Sequence, residues 1–345
     1  MHADFTSALY LGMRHPAPSL PAWDELTLGK PAALEPVPGE PELGAALARL
    51  MDCEAACLLP SSLHLFWDLF GWLASARVSL LVDSAAYPVA RWGAERARSQ
   101  GVPLQCFSHG SAAQAASLAR RWREAGRRPV ILSDGYTPGD AAAPPLASYA
   151  DIADANGGLL LLDDTQALGV LGVDGGGSVA EHGLGGAPIL LGASLAKGFG
   201  APLAVLAGPR KMLGSFIAAS ATRVHCSPPS VVAIAAGRCA LEANRRMGRM
   251  LRGRLRERIA QLQAVLAGRG IGCLGGEFPV QRIVLPPSCD GEALRRELSL
   301  AGIEVLLQGT PARQILTMLL RADHSPQQIA YAAHSIGQLM EVLHV

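Results

Sequence analysis

Between residues 46 and 209, short apolar runs alternate with longer stretches of helical periodicity, and no other feature of the chain narrows its fold as far. The runs are ACLLP (56–60), VSLLVD (78–83), VPLQCFS (102–108), RPVILSD (128–134), GLLLLDD (158–164), PILLGAS (188–194) and LAVLAGP (203–209). Several lack polar–apolar alternation, as strands covered on both faces do. Segments such as SAAQAASLARRWREAG (111–126) and PLASYADIADANG (145–157) separate them with a helical pattern. This order predicts an α/β fold with a mostly parallel, doubly wound sheet. Ligands of such sheets bind beyond the carboxyl ends of the strands, so the chemistry belongs just after the apolar runs.

The texture changes after Pro228-Pro229. Residues 230–270 read as one long or once-broken helix with nine arginines, a basic run expected to form a solvated face. PVQRIVLP, GEALRRELSLAG, IEVLLQ, QILTMLL and a helix from Ser325 follow, an α+β pattern. The expected organisation is a Pro- and Gly-rich arm (1–45), a large α/β domain (46–230) and a small C-terminal α+β domain (231–345).

A formal net charge of +1 with mixed signs offers no footprint for nucleic acid, and no uninterrupted apolar stretch has the length of a membrane span. The first twenty residues lack a basic segment leading into an apolar one, so no export signal is expected. The seven cysteines are odd in number, and Cys53 and Cys57 have no second pair at zinc-like spacing. They read as reduced, buried thiols of a cytoplasmic protein without a metal site.

Of the 30 basic residues only Lys30, Lys197 and Lys211 are lysines, and Lys197 lies in LLGASLAKGFGAPLA, where every other residue is small or apolar. A lysine stem commonly snorkels its head to water. A lysine amine also loses its proton readily on burial and can then attack a carbonyl, which arginine cannot do. Asp163-Asp164 closes the GLLLLDD run, where a buried carboxylate calls for a cation. A helix cap with an exposed neighbour is the other reading of that pair. PSSLH (60–64) joins a strand to a helix and offers N–H groups and hydroxyls to a phosphate, or forms an ordinary N-cap. Tyr87 follows the next strand and supplies an aromatic face, or simply packs in the core. A lysine for an imine, a carboxylate for a ring-nitrogen cation, a phosphate-binding helix start and a stacking ring together describe a site for pyridoxal 5'-phosphate.

At this point the chain resembles the α-oxoamine synthase family of fold-type I PLP-dependent transferases. LYLGMRHP (9–16) is similar to the family's N-terminal segment, and PELGAALARLMDCEAACLLPSS to the stretch leading into its phosphate turn. LLLLDDTQALGVLGVDGGGSVAEHG and GASLAKGFG resemble its aspartate and lysine signatures. The resemblance implies that Lys197 is the Schiff-base lysine and proton carrier at the substrate Cα, and that Asp163 pairs with the pyridine nitrogen. It places Ser62, Leu63 and His64 on the phosphate turn, Ser194 on the threonine three residues before the lysine, Gln166 at a family histidine and Tyr87 at the stacking histidine. It also implies a homodimer with composite active sites, VHCSPPS (224–230) being similar to the segment lent across the interface.

Gln166 can donate to a phenolic oxygen but cannot act as an acid near neutral pH. The family arginine that clamps the amino-acid carboxylate falls on Thr317, with Arg313, Arg321 and Arg282 as unaligned substitutes. Leu63 stands where the phosphate turn has glycine, and must avoid positive φ unless strained. The implied activity is acyl transfer: an amino acid, with decarboxylation, condenses with an acyl thioester on CoA or a carrier protein. Transamination or a Cα/Cβ lyase reaction on an unusual amine is the alternative, because the fold does not fix the reaction. A catalytically silent homologue is a third reading, against which the retention of Lys197 argues. A nicotinamide oxidoreductase lacks its Gly-x-Gly-x-x-Gly turn here.

Overall fold

The structure, a computed structural model, describes residues 1–22, 25–139, 143–172, 174–310 and 313–342. The strands are β1 (Ala3–Asp4), β2 (Ala55–Leu59), β3 (Val78–Asp83), β4 (Leu104–Phe107), β5 (Arg128–Asp134), β6 (Leu159–Asp163), β7 (Ile189–Ser194), β8 (Ala204–Gly208), β9 (Val280–Val284), β10 (Ile303–Glu304), β11 (Leu306–Thr310) and β12 (Arg313–Leu319). The helices are α1 (Glu40–Leu50), α2 (Ser62–Ala74), α3 (Pro88–Ser99), α4 (Ala112–Glu124), α5 (Leu146–Ala155), α6 (Ser178–His182), α7 (Arg210–Ala219), α8 (Ala221–His225), α9 (Val231–Ala267), α10 (Gly291–Leu300) and α11 (Pro326–Val342).

Packing divides the chain into two compact units. One comprises Arg14–Thr137 and Ala142–Arg246; the other comprises Met1–Met13, Pro138–Ala141 and Met247–Val345. The sequence texture set its divisions at 45 and 230. Packing instead groups the first residues with the C-terminal part and passes from one unit to the other within α9.

In the larger unit all seven apolar runs become strands of one sheet, in the order β2-β8-β7-β6-β5-β3-β4. The ladders joining β4, β3, β5, β6 and β7 are parallel, and β8 runs antiparallel to both β7 and β2. The mostly parallel α/β sheet is therefore as expected. Every residue of β3, β6 and β8 is buried, which explains why these runs show no alternation. On one face Leu80, Val82, Leu132 and Leu161 pack with Phe66 and Phe70 of α2 and Phe216 of α7. Each such side chain contributes about 1.5–3 kcal/mol by leaving water. Gly93 lets α3 lie close against α2, since a Cβ there would strike Phe66 and Phe70.

In the smaller unit, β11, β12 and β9 form an antiparallel sheet and β1 pairs in parallel with β10. Arg321 is mostly buried and its Nε donates to Asp323 Oδ1 (2.8 Å), while a second nitrogen donates to the Asp4 carbonyl (3.2 Å). These bonds fasten the N-terminal strand to the turn before α11.

All seven cysteines are free thiols, but Cys106 and Cys226 are exposed, so the expectation of uniformly buried thiols is corrected. Cys106 lies on the edge strand β4 and Cys226 just after α8, and neither position is covered. Burial pushes the Cys53 and Cys57 thiols up to about 12, which keeps them protonated and unreactive. No helix of the described residues is long and apolar enough to cross a membrane.

Candidate active site

Three carboxyls end adjacent parallel strands: Asp83 on β3, Asp134 on β5 and Asp163 on β6. The neighbouring β7 ends at Ser194, three residues before Lys197. Asp163 is 4% exposed, and its Oδ1 accepts the Thr165 N–H at 3.0 Å. The Thr165 hydroxyl oxygen accepts the Ser194 N–H at 3.0 Å, so one threonine ties the end of β6 to the end of β7. That tie brings the aspartate and lysine segments together.

The lysine turn is held on both sides. The Leu195 N–H donates to the Leu203 carbonyl at 2.9 Å, and His15 Nε2 lies 2.8 Å from the Phe199 carbonyl oxygen. A Cβ on Gly198 would run into the Leu168 carbonyl, so glycine here allows the backbone to close on the turn after β6. Gly200 has φ +63°, in the left-handed region that favours glycine. Ser194 itself is half-buried, with its Oγ accepting the Ala196 N–H at 3.3 Å.

Lys197 is half-buried, and burial lowers its ammonium pKa against the opposing pull of Asp163 and Asp134. Its Nζ stands 5.5 Å from the centroid of the Tyr87 ring. Tyr87 precedes α3 and is 47% exposed, which leaves its ring open to a ligand rather than packed in the core. The Tyr87 N–H donates to Asp134 Oδ1 at 3.0 Å.

The two adjacent acids divide their work differently from either sequence reading. Asp164 is fully buried, not exposed, and its Oδ2 accepts the Ser178 N–H at 2.9 Å at the start of α6. Burial pushes its carboxyl up to about 6. Gly135 and Gly177 pack against it so closely that a Cβ on either would displace its carboxyl oxygens. Asp164 fixes a loop, and Asp163 faces Lys197.

Ser62, Leu63 and His64 are the first residues of α2, directly after β2. Leu59 of β2 and Ser194 of β7 both pair with Ala204 of β8, so this helix start lies at the same end of the sheet as the lysine turn. The Ser61 Oγ accepts the His64 N–H at 3.4 Å and lies 2.9 Å from His64 Nδ1. This is an N-cap, and its partial positive charge is turned to the site end of the sheet. Leu63 needs no strained backbone: Asp52 is the one non-glycine residue with positive φ among the described residues. Gln166 is half-buried in the turn following Thr165.

Sequence reasoning passed over Asp134 and Thr165. Asp134 closes RPVILSD as Asp163 closes LLLLD, and that shared ending was the available signal. In the smaller unit, Thr317 is buried on β12 and donates to Gln308 Oε1 at 2.9 Å. Its cross-strand partner on β9 is Arg282, whose Nε is buried without a hydrogen-bond partner among the described residues. Arg321 is committed to Asp323 and Asp4, and Arg313 is exposed. Among the described residues no group of three or more His, Cys, Asp or Glu could hold a metal ion.

No protein-family model matches the chain. Over 253 residues it is 31% identical to the 8-amino-7-oxononanoate synthase of Alkalilimnicola ehrlichii, covering 71% of this chain and 63% of that protein. The chain thus spans about three fifths of the length of the curated relatives it first matches, 63% and 58%. Among solved structures it is similar to the 8-amino-7-oxononanoate synthase of Francisella tularensis, with a TM-score of 0.78 at 17% identity, covering 100% of this chain and 99% of that one. A serine palmitoyltransferase from S. paucimobilis with a bound PLP–myriocin aldimine aligns with a TM-score of 0.85 at 15% identity, covering 99% of this chain and 87% of that one.

Proposed function

This chain is a homologue of the 8-amino-7-oxononanoate synthases with the fold of fold-type I PLP-dependent transferases, and on that premise we propose that it is a PLP-dependent acyltransferase. It condenses an amino acid, with loss of CO2, with an acyl thioester carried on CoA or a carrier protein. The observation that carries this reading is the meeting of Lys197, Asp163 and the open Tyr87 ring at the ends of β6 and β7.

The residues present fit pyridoxal 5'-phosphate. A buried carboxylate, a lysine whose ammonium pKa is lowered by burial and an exposed aromatic face are the groups it needs. When bound, it supplies an electron sink for a carbanion at the substrate Cα. Asp163 would pair with the protonated ring nitrogen, and the exposed Tyr87 ring would offer a face for stacking. The α2 start at Ser62, Leu63 and His64 would receive the phosphate with Ser194, and the Gln166 amide would donate to the phenolic oxygen. Lys197 would hold the group through its amine and would carry the proton at the substrate Cα. The substrate Cα, having given its proton to Lys197, would bond to the acyl carbon as the thiolate leaves, and the amino-acid carboxylate would depart as CO2.

Two further features belong to this reading. Leu63 and Trp67 lie one turn apart on α2, and the Arg96 guanidinium covers the Trp67 ring at 4.0 Å, one turn beyond exposed Trp92. With Val224 and Cys226 of the segment similar to the one lent across the family interface also exposed, these apolar side chains support a homodimer with composite sites. Cytoplasmic placement accords with the free thiols.

A second reading, transamination or Cα/Cβ lysis on an unusual amine, is favoured by one observation. The position of the family's carboxylate clamp holds buried Thr317, bonded to Gln308. The two readings part on one assay: PLP-loaded protein is given amino acids and acyl thioesters, and free thiol and ketone are measured. Thiol release matched by ketone, falling roughly a hundredfold or more in Asp163→Asn, is the expected result. Amino-group transfer to a keto acid without thiol release puts the second reading in its place.

A further inference from the structure

We infer that Asp134 is a second acid of the site, a positioning residue set against Asp163 across the β5–β6 ladder that controls the charge seen by Lys197. The inference rests on the reading of Lys197 and Asp163 as the cofactor-holding pair. It begins from register. Asp134 and Asp163 are direct partners in the parallel ladder of β5 and β6, so their side chains leave the same side of the sheet from neighbouring strands, which in sheets lie about 4.8 Å apart. Both are buried, at 5% and 4% exposure, and two carboxylates so placed cannot both ionise cheaply.

Their hydrogen bonds decide which one keeps the charge. Burial raises the Asp163 carboxyl, and the Thr165 N–H that it accepts and the nearby Lys197 work against that rise. Asp134 accepts one backbone bond, from Tyr87, and is pushed up to about 8, first by burial and next by the charge of Asp163. The groups that act on it are Asp163 from β6, Asp83 from β3, Lys197 from the turn after β7 and the Tyr87 N–H from the start of α3. With Asp134 neutral, Asp163 is the acid whose charge acts on Lys197; above pH 8 a second negative charge appears on Asp134 and favours the charged form of Lys197. The same carboxyl also holds the backbone of Tyr87, so the charge balance and the placement of the ring share one residue.

The chain's three lysines make this directly measurable in the whole chain of 345 residues freed of cofactor. Competitive acetylation by acetic anhydride, resolved by peptide, follows Lys197 across pH with Lys30 and Lys211 as internal references. Asp134→Asn keeps the acceptor for the Tyr87 N–H and removes the titration. Lys197 should label alike in both proteins at pH 6 and roughly threefold or more faster in Asp134→Asn above pH 8. Asp134→Glu, which keeps an acid, should return the curve towards that of the unsubstituted chain. Curves that coincide at every pH, or that differ by one constant factor, would overturn the proposal. Should the asparagine variant fail to fold, the unsubstituted chain still decides: a second ionising carboxyl broadens the Lys197 curve beyond a single step. A single sharp step would contradict it. None of these readings needs bound cofactor, so a failed acyl-transfer assay and a failed Asp134 proposal remain separate outcomes.

Discussion

Lys197 stands on a turn whose backbone is pressed against the Leu168 carbonyl, and Gly198 makes that approach sterically open. Gly198→Ala should therefore cost about 1–3 kcal/mol by overpacking and move the lysine away from Asp163. Thermal unfolding checks the stability, and the pH profile of Lys197 acetylation checks the displacement; an unchanged melting temperature would mean that the turn relaxes freely. At this scale the sequence was legible where chemistry forced an unusual residue into apolar surroundings. One lysine among small residues and one acid at the end of a buried run are visible without coordinates. Asp134 also ends an apolar run, but its importance lies in sitting beside Asp163, and strand register cannot be read from composition. Asp164 was open to two readings for a related reason: only the fold shows that the Ser178 N–H and two glycines close around it.

Among elements, the seven strands were readable because continuous burial leaves a continuous apolar run. Their order was not readable, since it depends on crossovers, and β8 enters antiparallel between β7 and β2. That strand places the start of α2 at the lysine end of the sheet. The Ser61 cap then has two consequences. Ser61→Ala should destabilise the protein by about 0.5–2 kcal/mol and loosen the first turn of α2. It should also weaken PLP binding, which fluorescence titration of the cofactor-free protein would read. A loss of stability without any loss of affinity would remove α2 from the phosphate site. Leu63 in place of glycine is accommodated because the chain enters a helix there and not a left-handed turn.

For the whole molecule, the buried acids predict how stability responds to pH. Asp134 and Asp164 have folded values pushed up to about 8 and about 6, above the ordinary 3.8. The folded state therefore binds more protons than the unfolded state over those ranges, and stability falls as pH rises from about 4 towards 8. Asp134→Asn should melt at a higher temperature than the unsubstituted chain at pH 8, with the gap closing at pH 4. An equal gap at both pH values would mean that Asp134 does not titrate in this range. Such a carboxyl is costly to stability, as groups held for function often are. The division of the chain into units was the least legible feature, because the segments that pack as one unit lie at opposite ends of the sequence. The most direct test of the site as a whole is borohydride reduction of the PLP-loaded protein followed by peptide mapping. A visible absorption band that collapses, with a pyridoxyl group on Lys197 and none on Lys30 or Lys211, is the expected result. A protein that stays colourless with added pyridoxal 5'-phosphate and carries no adduct on Lys197 would contradict the assignment of this site.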